Sequence, residues 1–165
     1  MEPTGLPEIV LVLDNIRSLY NVGSMFRTAD GFGVKKIYLC GYTGTPEQGG
    51  LRKVALGAED SVAWEKCPQA WRVVERLKTK GYRVIGLECG VGAVPLTEFR
   101  PRFPLALVVG NEVTGLSPAL MKRLDGLVEI PMFGKKESFN VSVACGIGLY
   151  ALRRGTVPSL SFESR

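Results

Sequence analysis

IPMFGKKESFNVSVACGIGLYALRR, residues 130–154, is the stretch from which the fold is read. A polar and basic turn from Phe133 to Asn140 sits between a short apolar run ending at Pro131 and a strongly apolar segment from Val141 to Leu152. This is a strand end followed by a helix start, with Ser138 and Asn140 at the junction. In α/β proteins such junctions carry ligands, because strand carboxyl ends open a crevice and helix N-termini present unpaired N–H groups. Gly146 and Gly148 each cost about 1 kcal/mol against alanine inside a helix, so their presence points to close packing. Ser142, Gly146 and Tyr150 recur every fourth residue, and the segment is apolar on nearly every face, the pattern of a helix buried on all sides. Two arrangements satisfy it: a core helix, or a helix with its own sheet on one side and a partner subunit on the other.

At 165 residues the chain is long enough to bury a real core without metal or disulfide staples. Residues 1–155 read as one domain and 156–165 as a short loose tail. The chain carries 21 Lys and Arg against 16 Asp and Glu, a net charge of +5, with basic pairs such as Lys35-Lys36, Lys122-Arg123 and Lys135-Lys136 spread along it. That suits a nucleic-acid partner, and equally a soluble protein with a scattered basic surface. The absence of histidine removes Ser-His-Asp and Cys-His catalysis and histidine-ligated zinc, and no metal is expected. Cys40, Cys67, Cys89 and Cys145 are widely spaced, without a CxxC pair, and read as reduced core residues of a cytoplasmic protein. No leader-like start and no run of 18 apolar residues appears, so neither secretion nor a membrane span is expected.

Working outward from residue 130, five apolar runs read as strands: Glu8–Leu13, Lys36–Cys40, Tyr82–Cys89, Pro104–Val109 and Gly126–Pro131. Helical signals fill the intervals. Asn21 reads as the N-cap of a helix closing at Gly33, residues 51–63 as a short helix broken by Gly57, and Pro68–Lys80 as a crossover helix closing at Gly81. Ser117-Pro118 starts another that runs to about Leu124. Strands joined by helices or long loops predict an α/β fold, a mostly parallel sheet covered on both faces.

Three loops at strand ends carry unusual polar residues: 21–27 (NVGSMFR), 110–116 (GNEVTGL) and 138–140 (SFN). Asn21 and Arg27 lie six apart on one short helix, and the apolar neighbours Met25, Phe26 and Ala29 suggest that Arg27 is held in place, its planar fork suited to a phosphate. Taken alone, the same residues also read as a helix cap and a surface ion pair.

Together the loops say more. The order N-x-G-x-x-x-R, then a hydrophobic strand into GNEVTGL, then IPMFGKKESFNVSVACGIGLY, resembles the SpoU/TrmH branch of the SPOUT RNA methyltransferases from Ile9 to about Arg154. The resemblance implies a deep C-terminal trefoil knot, an exception to the rule that chains avoid knots. It implies S-adenosylmethionine bound in that knot, a homodimer whose sites draw residues from both subunits, and methyl transfer to a ribose 2′-hydroxyl of tRNA or rRNA. It further implies roles for Asn21, Arg27, Glu112, Ser138 and Asn140 in catalysis, with Arg27 as the proposed catalytic arginine. Cofactor contacts, largely through backbone groups, fall to Leu87, Glu88, Gly110, Asn111, Ile130, Met132, Ser138 and Asn140. Larger relatives carry an N-terminal RNA-binding domain and a basic C-terminal extension that this sequence lacks, so substrate choice is expected to rest on the catalytic domain's surface, a dimer groove or another protein.

With an activated methyl donor, the protein's tasks are in-line placement of the 2′-oxygen and removal of its proton. An arginine is a poor base. The reading from these residues is therefore that Arg27 fixes the phosphate beside the target ribose, and the proton leaves through that phosphate or transiently through Arg27. Asn21 would orient Arg27 or the ribose, Glu112 would hold Arg27 or a dimer contact, and Lys135 and Lys136 would meet the RNA backbone or remain solvated. The competing class is a knotted binding module without turnover. A dinucleotide-binding enzyme is a weaker third reading, because no GxGxxG follows the first strand.

Overall fold

The computed structural model describes residues 5–156. Its spine is a seven-stranded sheet in which every pairing is parallel. The strands are β1 (Ile9–Asp14), β2 (Lys36–Cys40), β3 (Ala63–Cys67), β4 (Arg83–Leu87), β5 (Val94–Pro95), β6 (Leu105–Val109) and β7 (Gly126–Glu129), in the spatial order β3-β2-β1-β6-β4-β7-β5. The helices are α1 (Leu19–Gly31), α2 (Gly49–Ala55), α3 (Ala58–Ser61), α4 (Ala70–Thr79), α5 (Pro118–Met121) and α6 (Val141–Arg153).

Strand alternation explains the continuous apolar runs. Ile9, Leu11 and Leu13 point into a core under α1, α2 and α6, whereas Val10 and Val12 point into a second core under α4 and α5. Each fully buried aliphatic side chain in these layers contributes about 1.5–3 kcal/mol. Strand β7 lies beside β4, not beside its predecessor β6, and the chain then returns across the sheet into α6. That order is compatible with the expected threading of the C-terminal part.

Several expectations need correction. The sheet has seven strands, not five. Strand β3 is a polar edge strand, with Glu65 ion-paired to Lys36 at 2.7 Å and to Arg76 at 2.8 Å, so it carries no apolar run to read. Strand β5 is two residues long and contains Pro95, which also hides it. Ser18, not Asn21, caps α1: its Oγ accepts from the Asn21 N–H at 3.2 Å. Helix α5 ends at Met121, well short of Leu124. Helix α6 is not buried on all sides, because Val143, Ile147 and Tyr150 form an exposed stripe. No helix among the described residues is long and apolar enough to cross a membrane. Of the expected tail, residues 157–165 lie outside the described residues.

Candidate functional site

The carboxyl ends of β4, β6 and β7 and the first turns of α6 line an open cleft. Leu87, Val109, Ile130, Val141 and Ala144 form its apolar wall, and Met132, Ser138 and Phe139 its outer lip. Gly110 and Asn111 close the side formed by the loop after β6. Its charged lining residues, Glu88, Glu112, Glu129 and Glu137, are all acidic, and no lysine or arginine lines it among the described residues. On a chain of net charge +5, this is a local reversal of sign.

Short-range hydrogen bonding builds the β6 loop. Asn111 is buried, and its Oδ1 accepts from the N–H groups of Val113 at 2.8 Å and Thr114 at 2.9 Å, a local turn closed by a side chain. Its Nδ2 donates to Asn15 O at 2.8 Å and to the Tyr42 hydroxyl at 2.7 Å. All its polar atoms are thus committed to the protein, which leaves only the backbone of Asn111 for a ligand. Gly115 has φ +66°, and a Cβ there would meet Glu88 Oε2 at 2.2 Å. Glu88 uses that closeness: its Oε2 accepts from the Leu116 N–H at 3.1 Å, so it ties β4 to the loop.

Glu112 links this loop to α1. Its Oε2 accepts from the Arg17 N–H at 3.0 Å, and its Oε1 from the Ser18 N–H and Asn21 Nδ2, both at 3.1 Å. Partial burial disfavours the charged carboxyl, but the hydrogen bonds from Arg17, its own N–H, Asn21 and Ser18 outweigh it and hold the pKa below the ordinary carboxylate value. Asn21 passes the link on, its Oδ1 accepting from Asn140 Nδ2 at 3.2 Å. Asn140 in turn caps α6, its Oδ1 accepting from the N–H groups of Ser142 at 2.9 Å and Val143 at 3.3 Å. The series Glu112–Asn21–Asn140 therefore fastens the β6 loop to the N-termini of both α1 and α6.

The structure does not bring Arg27 into this series. Six residues along a helix amount to 600°, so Arg27 faces well away from buried Asn21. Met25, Phe26 and Ala29 point into the core, while Arg27 is exposed and makes no hydrogen bond or ion pair among the described residues. Within one chain Arg27 is therefore not held by its apolar neighbours and does not share a face of α1 with Asn21. Of the two roles expected for Glu112, holding Arg27 or a dimer contact, the first is not seen, since its carboxylate binds Arg17, Ser18 and Asn21. Ser138 is exposed at the lip, and Lys135 and Lys136 lie on the exposed turn just before it. The reading of all four cysteines as core residues fails at Cys89, which is exposed on the cleft wall. Burial, Glu129 and Glu88 push its thiol up. Sequence reasoning also missed Glu129, Glu137 and Phe139 as lining residues. Glu129 and Glu137 are the only acidic residues of 129–137 and stand eight positions apart, so no local pattern marked them.

A family model described as the SpoU rRNA Methylase family matches residues 8–150, nearly the whole described chain. The chain belongs to the SpoU rRNA methylase family. Among curated SpoU relatives, the chain is 32% identical over 148 residues to the 23S rRNA (guanosine-2′-O-)-methyltransferase RlmB of Coxiella burnetii, covering 90% of this chain and 59% of that protein. It is 30% identical over 148 residues to the tRNA (guanosine(18)-2′-O)-methyltransferase of Aquifex aeolicus, covering 89% of this chain and 69% of that one. The solved AdoMet-bound rRNA methyltransferase from Sinorhizobium meliloti superposes with a TM-score of 0.85 at 26% identity, over 96% of this chain and 60% of that chain. The parallel α/β fold of this chain is therefore that of a solved rRNA methyltransferase, and its strand order is compatible with a C-terminal knot. The chain spans about 59% of the length of the first of these relatives.

Proposed function

We propose that this protein is an S-adenosylmethionine-dependent RNA methyltransferase that modifies a ribose 2′-hydroxyl of tRNA or rRNA, acting as a homodimer in the cytoplasm. The observation that carries the reading is the acidic, apolar-walled cleft at the ends of β4, β6 and β7. S-adenosylmethionine fits that donor set, because it pairs an adenosine for the apolar wall with sulfonium and ammonium charges for the carboxylates. When bound, it supplies the activated methyl group. Leu87, Ile130 and Met132 would hold it, with the backbone of Gly110 and Asn111 and the hydroxyl of Ser138. Glu88 and Asn140 would act by fixing the loop and the α6 N-terminus that form the walls.

The remaining tasks fall to the chain's own residues. Glu112 has a lowered pKa and three donors on its carboxylate, so it is a poor proton acceptor and serves to position the loop. Arg27 is exposed on α1, the helix that packs against α6, whose stripe of Val143, Ile147 and Tyr150 is also exposed. Pairing two copies across that face buries the stripe and carries Arg27 of one subunit towards the cleft of the other. There its guanidinium would clamp the phosphate next to the target ribose, with the 2′-hydroxyl proton leaving to that phosphate. Lys135 and Lys136, exposed on the turn beside the lip, would meet the RNA backbone.

Calorimetric titration with S-adenosylhomocysteine tests the cleft. One site per chain is expected, abolished by Ala144→Trp, which fills the wall, while NAD gives no heat. Binding that survives Ala144→Trp would place the cofactor elsewhere and overturn the reading.

A further inference from the structure

On the α4 side of the sheet, the carboxyl ends of β1 and β2 meet the starts of α4 and α5 around a second, open crevice. Strand order reverses here, with β2 and β3 on one side of β1 and β6 and β4 on the other. Open parallel sheets leave room for a ligand at such a point. The crevice shares a wall with the acidic cleft. Asn111, which lines the cleft, donates to the carbonyl of Asn15 at 2.8 Å, and both Asn15 and Ser117 at the end of the same loop line the crevice.

Its chemistry differs from that of the cleft. Asp14, at the end of β1, is half-buried, and its carboxylate accepts no hydrogen bond among the described residues. Burial pushes its pKa up, so the ionised group gains from any donor brought to it. Gln69 at the rim likewise makes no side-chain hydrogen bond among the described residues. Trp71 contributes a half-buried ring, with the guanidinium carbons of Arg123 and Arg72 at 5.1 and 5.2 Å from its centroid. Arg123 is committed to Glu75 and to the Ala119 carbonyl, but Arg72 is exposed and makes no hydrogen bond among the described residues.

We propose that this crevice receives an unpaired guanine nucleotide of the RNA, distinct from the nucleotide in the cleft. The Asp14 carboxylate accepts from the guanine N1–H and N2–H groups, Gln69 donates to O6, Trp71 lies along the base, and Arg72 meets the adjoining phosphate. The choice of base follows from donor count. An ionised carboxylate only accepts, and among the four bases only guanine presents two adjacent donors on its Watson–Crick edge. Unpaired bases held this way, by an aromatic ring and edge contacts, are how proteins read single-stranded RNA. The inference rests on RNA being the substrate.

The test is to titrate the full chain with guanosine 5′-monophosphate and with adenosine 5′-monophosphate while following amide and indole N–H resonances. Guanosine monophosphate is expected to shift the Trp71 indole and the Gln69 side-chain amide, and to bind about tenfold tighter than adenosine monophosphate. Asp14→Asn should remove that preference while leaving S-adenosylhomocysteine binding intact, which also reports that the variant is folded. Arg72→Glu, at an exposed position, should weaken guanosine monophosphate several-fold and leave unphosphorylated guanosine unchanged. Equal binding of the two nucleotides, an unaffected Asp14→Asn variant, or shifts confined to the Met132 and Ala144 cleft would each overturn the proposal. The two readings fail separately. Loss of S-adenosylhomocysteine binding with guanosine selectivity retained sinks only the methyl-transfer reading, and the reverse sinks only the crevice.

Discussion

Glu112 and Asn21 look like catalytic residues in the sequence, and their contacts show them holding the site together. A carboxylate whose oxygens accept from Arg17, Ser18 and Asn21 has its charge already satisfied. This has a pH signature. The folded-state pKa of Glu112 is depressed below its ordinary value of 4.5, so its stabilisation is complete above that value and is lost as the pH falls through the lower folded value. Glu112→Gln should therefore cost about 1–2 kcal/mol near neutral pH, an estimate discounted for partial exposure. Urea midpoints measured from pH 7 downwards should show the gap between variant and native protein closing below pH 4.5. A gap independent of pH would mean that charge is not what Glu112 contributes.

At the scale of the element, α6 explains its own glycines. A Cβ on Gly148 would stand 3.3 Å from Leu107 and 3.4 Å from Leu87, so this glycine lets the helix lie close on β4 and β6. A Cβ on Gly146 would meet only Thr28, at 3.6 Å. Gly146→Ala should therefore stabilise the fold by up to about 1 kcal/mol through helix propensity, whereas Gly148→Ala should be neutral or destabilising. Thermal melts of the two variants check the contrast, and equal shifts would contradict it. The apolar strands and the periodic helices were legible in the sequence because their signals are local. Strand β3 was not, since an edge strand held by the Glu65 ion pairs has no apolar run. Ser18 was overlooked as the cap because Asn21, one turn later, is an equally good capping residue by type. Leu87, Gly110, Ile130, Met132 and Ser138, which the family resemblance implied as cofactor contacts, do line the cleft. The exposure of Arg27 and Cys89 depends on how helices and loops pack, which no local pattern encodes.

The whole molecule is divided electrically, a basic chain around an acidic cleft. Under the proposed function, such a division would draw RNA phosphates to the surface and leave the cleft to a cationic cofactor. It is also divided by polarity, since Val143, Ile147 and Tyr150 leave one stripe of α6 in water, and Arg27 is exposed on α1, which packs against α6. Under the proposed homodimer, two-fold pairing on that stripe would account for both. Ile147→Arg should lower the mass in light scattering from twice the 18.0 kDa chain mass to that of a single chain, and should reduce methyl transfer while cofactor affinity is retained. A native protein that is already monomeric would contradict the dimer. The proposed reaction is methyl transfer to a ribose. Its most direct test is nucleoside mass spectrometry of unmodified bulk RNA incubated with the full chain and S-adenosylmethionine, beside the Arg27→Ala variant. The account predicts one gained 2′-O-methylated nucleoside with the native protein, and a yield lowered by about 100-fold with the variant. No gained ribose methylation from native protein that binds S-adenosylhomocysteine, or a methyl found on a base, would contradict it.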